Sequence, residues 1–140
     1  MDPTSITSTL IDVLKLTSSV TSKCYDYRQG SASSSASKLI ESLNSLKAVG
    51  ESLLRLVDTS GSDGASQFAA VKLLAKDNGT LVHCEAALKK LDEALELGDG
   101  VNKTGKGLEW PLSKDKMNKN LEDLEGFIGT MKLALTADQA

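Results

Sequence analysis

Aromatic residues are scarce in this sequence, with one Trp, two Tyr and two Phe in 140 residues. A core with so few rings has to be aliphatic, and the Leu, Val, Ile and Ala that remain, Leu above all, suit helix–helix packing. Histidine occurs once, as His83, and no His-x-x-x-His or Cys-x-x-Cys spacing accompanies it, so no metal-ligand pattern stands out. There is no basic excess. A formal net charge of −3 and a pI near 5.2 argue against general nucleic-acid binding, which needs a basic footprint. No stretch approaches the roughly 20 apolar residues of a transmembrane helix. The opening Met1-Asp2-Pro3-Thr4-Ser5 lacks a basic n-region, so it does not read as a secretory signal, and no glycine follows Met1 for myristoylation. The expected location is cytoplasmic. Without a leader, Asn78-Gly79-Thr80 and Asn102-Lys103-Thr104 read as turn composition rather than glycosylation sites.

What is present is ordinary for a globular domain, with 40% hydrophobic and 25% charged residues. The length fits one domain, 1–140, able to bury a core without disulfide staples. Cys24 and Cys84 both fall on apolar stripes and read as buried free thiols. A disulfide or a reactive site is the alternative.

Helical periodicity runs through the chain. From about Pro3 to Gln29, Ile6, Leu10, Val13, Thr17, Val20, Cys24 and Tyr27 recur three or four apart, with Leu14 and Leu16 widening the stripe. Asp2 is placed to cap this helix and Pro3 to begin it. Gly30 and residues 31–35 read as a polar turn. A second helix is expected from about Ser35 to Asp58, on Leu39, Leu43, Leu46, Gly50, Leu53 and Val57. Gly50 lies on its apolar stripe, which close approach of another helix backbone would explain. The third segment looks broken. Phe68, Val71, Leu74 and Ala75 suggest a short helix stopped by Asp77-Asn78-Gly79, and Thr80 is placed to cap a new one carrying Leu81, Cys84, Leu88, Leu91 and Leu95. Gly98-Asp99-Gly100 is expected to end it. Leu108, Trp110 and Leu112 form a short apolar anchor, since Trp110 precedes Pro111 and is biased out of a helix. Ser113 then caps a last helix on Met117, Leu121, Leu124, Ile128, Met131 and Leu135. No alternation suggests a strand. The fold class is therefore all-α, an up-and-down four-helix bundle with one broken helix and an additional short helical segment. The glycine-rich breaks disfavour a single coiled coil, the competing architecture.

The sequence offers no catalytic constellation. Gly100-Val101-Asn102-Lys103-Thr104-Gly105-Lys106-Gly107 nearly matches a phosphate-binding loop, but Gly107 stands where the Mg²⁺-holding hydroxyl belongs and no buried strand precedes it. It reads as a loop. Neighbouring helical residues point about 100° apart, so His83 is expected to face solvent and Cys84 the core. Glu41, Glu51, Glu85, Glu93, Glu96, Glu122, Asp123 and Glu125 read as solvated faces with i,i+4 pairing. No enzyme activity and no cofactor are expected. One charge feature stands apart: Lys103, Lys106, Lys114, Lys116 and Lys119 cluster against only Glu109 and Asp115. The simpler reading is a solubilising loop. The other is a contact for an anionic partner, lipid headgroups or an acidic protein, which would offset the helix dipole at the start of the last helix.

Several stretches together resemble the HeLo-like N-terminal domain of fungal STAND (NOD-like) receptors. They are Met1-Asp2-Pro3-Thr4-Ser5-Ile6, Leu14-Lys15-Leu16-Thr17-Ser18-Ser19-Val20, Cys24-Tyr25-Asp26-Tyr27-Arg28, Leu43-Asn44-Ser45-Leu46, Glu51-Ser52-Leu53-Leu54-Arg55-Leu56, Leu108-Glu109-Trp110-Pro111-Leu112 and Leu133-Ala134-Leu135-Thr136-Ala137-Asp138-Gln139. They span nearly the whole chain, in order. The resemblance implies a helical bundle at the head of a longer receptor, with a nucleotide-binding oligomerisation module and repeats after it, acting in fungal innate immunity and heterokaryon incompatibility. Related HeLo and HeLo-like domains are programmed-cell-death effectors that self-associate on activation, move to the plasma membrane and damage it. The four-helix domain of the necroptotic mixed-lineage kinase-like pseudokinase is similar in architecture and action. The resemblance makes the first helix the membrane-active element, with Ile6, Leu10, Ile11, Val13, Leu14 and Val20 as its apolar positions here. Its Ser and Thr residues, with Asp12 and Lys15, make it too polar to span a bilayer alone, so action on a membrane requires lateral assembly. The expected partners are further copies of the chain, anionic lipids and other helical domains. The competing expectation is a non-lytic adaptor bundle.

Overall fold

The computed structural model describes residues 3–28, 33–59, 69–76, 79–101 and 112–139. Among them every element is helical: α1 (Pro3–Arg28), α2 (Ser33–Thr59), the short α3 (Ala69–Leu74), α4 (Thr80–Val101) and α5 (Lys114–Gln139). The expected bundle with a broken third segment and a short extra helix is what forms. The anchor residues Leu108 and Trp110 lie outside the described residues, as do Asp2, Gly30, Phe68, Asp77 and Asn78, while Leu112 packs partly buried on the core.

Local chemistry accounts for the boundaries. Pro3 opens α1, where its missing N–H costs nothing. Ser113 caps α5: its Oγ accepts the Lys116 N–H at 3.2 Å and its carbonyl the Met117 N–H at 2.8 Å. Three boundaries differ from expectation. Helix α2 begins at Ser33, so part of the serine run expected to turn is helical. Helix α4 continues through Gly98-Asp99-Gly100 to Val101, because an internal glycine costs a helix only about 1 kcal/mol. At the start of α4 the capping position belongs to Gly79, whose carbonyl accepts the His83 N–H at 3.2 Å, and Thr80 is the first helical residue. A Cβ at Gly79 would lie 2.6–2.8 Å from the carbonyl oxygens of Leu73, Leu74 and Lys76, so this tight α3–α4 corner needs glycine.

The helices alternate in direction. Leu14 of α1 packs on Gly50 of α2, while Ser18 to Tyr25 border Asn44 and Lys47, so α1 and α2 are antiparallel. It is the Leu14 side chain, with Cδ2 3.0 Å from where a Gly50 Cβ would stand, that fills the space expected for a helix backbone. Asp12 and Lys15 lie by Glu85 and Lys89, and Lys23 by Asp92 and Glu96, so α1 and α4 are parallel. At the end of α5 the Asp138 carboxylate accepts the N–H groups of Ala70 (3.3 Å) and Val71 (2.8 Å) in α3, beside the start of α4. This runs α5 antiparallel to α4.

The neighbour order is not the chain order. Helix α1 packs on α2 and α4, and α5 packs on α2, α4 and α3, leaving α1 opposite α5 and α2 opposite α4. The chain therefore crosses a diagonal between α2 and α4, and α3 is the described part of that crossing. One aliphatic core fills the centre, with Leu10, Leu39, Leu43, Leu53, Leu88 and Leu95 fully buried.

Candidate functional site

Helix α1 divides the six apolar positions singled out for it. Ile6, Leu10, Val13 and Val20 are buried in the core. Leu14 is half-buried on the α2 side, over Gly50, and Ile11 is 37% exposed. Thr17 interrupts the buried stripe with a hydroxyl, but that hydroxyl donates to the Val13 carbonyl at 2.7 Å, so no polar group is stranded. Thr21 repeats the bond to the Thr17 carbonyl, also at 2.7 Å.

The stripe holds α1 in place. Burying a Leu, Ile or Val side chain contributes about 1.5–3 kcal/mol, so the four buried residues contribute about 6–12 kcal/mol, comparable with the whole stability of a domain. Beside this sits a polar latch between α1 and α4. Lys23 Nζ meets Asp92 Oδ1 at 2.8 Å, both side chains 21% exposed, and Ser19 Oγ donates to the same oxygen at 2.8 Å. Lys23 also reaches the Asp92 carbonyl at 3.4 Å and the more exposed Glu96 at 3.9 Å. A half-screened pair of this kind adds up to about 1 kcal/mol. The latch therefore sets register and the stripe sets adhesion. Glu96 stands among the carboxylates expected on solvated faces and Asp92 does not, although Ser19 and Lys23, four apart beside the apolar stripe, mark a polar seam in the sequence.

The basic cluster is only partly described. Lys103 and Lys106 lie outside the described residues. Lys114, Lys116 and Lys119 are exposed in the first two turns of α5. Lys116 and Lys119 share a flank, while Lys114 points about 160° away from Lys116 around the axis. Exposed Asp115 complements the helix dipole in the first turn.

The other chemistry-bearing residues are inert or solvated. His83 faces solvent and Cys84 the core, as the helical offset predicts. Both cysteines are free and buried. Burial pushes the Cys24 thiol up to about 12, and burial with the neighbouring Glu85 carboxylate pushes Cys84 up to about 12. Both thiols stay protonated at neutral pH and are poor nucleophiles. Glu85 and Lys89 form the i,i+4 pair expected of a solvated face, at 3.1 Å. Among the described residues no three His, Cys, Asp or Glu side chains gather as a metal site, and no helix is long and apolar enough to cross a membrane.

No family model, curated protein or solved structure matches the chain.

Proposed function

We propose that this domain is the N-terminal signalling and effector module of a fungal NLR-like receptor, and that it induces regulated cell death by assembling and acting on the plasma membrane through α1. The observation that carries this reading is the double character of α1. It presents an apolar stripe, Ile6, Leu10, Val13 and Val20, interrupted only by the internally bonded Thr17 hydroxyl and closed against the bundle, while its outer face is polar apart from residues such as Ile11 and Tyr25. Such a helix closes a core in water and lies in a lipid interface once released. The ordered resemblance to HeLo-like domains supports the same reading.

The energetics add a condition. Exposing the stripe to water costs far more than breaking the Lys23–Asp92 pair, so α1 leaves the bundle only when another apolar environment receives it. Lipid or neighbouring copies supply that environment. Lys116 and Lys119, both exposed on one flank of α5, are the cations that this reading assigns to anionic headgroups.

The test is dye leakage from anionic vesicles, measured against oligomeric state. Assembled wild-type domain is expected to bind and permeabilise them. A Ser19→Cys/Asp92→Cys variant, bridged by a short bis-maleimide, ties α1 to α4 and is expected to lose leakage while staying folded. The native cysteines, buried and protonated, do not compete for the reagent. Failure of assembled wild-type protein to bind or permeabilise the vesicles overturns the reading. The competing function, a non-lytic adaptor that recognises a helical domain, is favoured by the open outer face of α5, where Leu133 is 74% exposed.

A further inference from the structure

The outward face of α5 carries features that packing within one chain leaves unused. Gly126 and Gly129 lie in the middle of the helix, both exposed, and a Cβ at either would meet nothing within 4 Å. Gly50 and Gly79 differ, since each is closed in by a neighbour. No internal contact asks for glycine at 126 or 129, although glycine weakens a helix interior. Leu133 shares their face, four residues beyond Gly129, and at 74% is the most exposed large hydrophobic among the described residues. Glu125 and Lys132 flank the strip on one side, seven residues apart and so nearly in line, with Gly129 close to midway. Both line the shallow groove of about 550 Å³ between α2 and α5, together with Lys38 and Glu41 of α2.

We infer that this face binds a second copy of the chain, with two α5 helices crossing antiparallel about a two-fold axis near Gly129. Such an axis reverses helix direction, so Glu125 of each copy faces Lys132 of the other and two opposite-charge pairs form at once. A parallel, in-register pairing would turn the two charged flanks to opposite sides of the contact, so Glu125 and Lys132 of one copy would meet neither charge of the other. Charges arranged to complement themselves suit an isologous contact, in which the same patch serves both partners. The glycines leave room for the two backbones to approach where the axes cross, and Leu133 gains a cover. Helix α5 lies opposite α1 in the bundle, so this pairing of closed bundles succeeds or fails independently of the membrane reading.

Sedimentation equilibrium across a concentration series tests it. The wild-type chain is expected to form dimers. Glu125→Lys and Lys132→Glu, both at exposed positions, are each expected to weaken dimerisation at least tenfold. An equimolar mixture of the two variants is expected to recover near-wild-type pairing, because only the mixed dimer sets opposite charges against each other at both places. Gly129→Leu is expected to block pairing while raising the melting temperature. A chain that stays monomeric throughout overturns the inference and leaves the face to a different protein. So does a dimer indifferent to these variants, or a mixture that fails to recover pairing.

Discussion

Lys23 on α1 and Asp92 on α4 meet at 2.8 Å, with Ser19 donating to the same carboxylate oxygen, 73 residues away in the chain. These contacts join two parallel helices that the chain does not connect directly. Replacing Asp92 by Asn is expected to cost about 1 kcal/mol in urea unfolding, because the pair is partly screened. A double-mutant cycle with Lys23→Met should return a coupling of about 0.5–1 kcal/mol that shrinks in high salt. Amide exchange should quicken in the second half of α1 and change little in α2.

The stripe of α1 behaves quite differently from its outer face. Leu10→Ala leaves a cavity in a fully buried site and is expected to destabilise by about 2–5 kcal/mol in the same measurement. Ile11→Ser, one residue on and 37% exposed, should cost only about 1 kcal/mol. If α1 meets lipid through both faces on assembly, Ile11→Ser still lowers vesicle binding. Stability and binding then separate in a single variant.

Glycine substitutions are expected to have opposite signs along the chain. Gly79→Ala forces a Cβ into three carbonyl oxygens and should lower stability by about 1–3 kcal/mol. Gly126→Ala meets open space and should raise stability by about 1 kcal/mol through helix propensity. Thermal melts of the two variants, run side by side, read both signs.

Asp138 reaches across from α5 to cap α3 in the way an N-cap side chain does within one helix. Asp138→Ala leaves the Ala70 and Val71 N–H groups without this partner, and is expected to cost about 1 kcal/mol. Hydrogen exchange should show the loss concentrated in α3, with the four long helices retaining their protection.

Alkaline pH tests the buried thiols. Each folded thiol has its pKa raised from an ordinary 9.0 to about 12 by burial, so the folded state holds these protons more tightly than the unfolded chain. Their contribution to stability is complete below about pH 9 and is lost as pH rises toward 12, at up to about 1.4 kcal/mol per pH unit for each thiol. Cys24→Ala/Cys84→Ala protein should start less stable and show a shallower decline over that window. Native protein at pH 7 should react with a thiol reagent only as fast as it opens.

The helices themselves were legible from composition and period. Leu39, Leu43, Leu46 and Leu53 recur at a spacing that only a helix places on one side, and all four are fully buried or nearly so. Ser113 was legible as a cap because its hydroxyl is a local acceptor for an amide three residues on. Thr80 misled for the same reason. It has the chemistry of a cap, but the close turn behind α3 places Gly79 there.

By itself the sequence determined that there would be amphipathic helices, where most of them begin and end, and that an aliphatic core would join them. Those follow from dihedral preference and local periodicity, which act over a few residues. Only the tertiary structure decided that α1 lies beside α4 rather than α5, that Asp92 receives Ser19 and Lys23, that Leu14 fills the space over Gly50, and that Gly126 and Gly129 face outward with Leu133. An apolar stripe states that a helix has a side to bury. It does not state which helix will cover it, because hydrophobic burial is non-directional and any apolar partner satisfies it. The choice among partners rests on packing shape and on a few polar contacts between residues far apart in the chain.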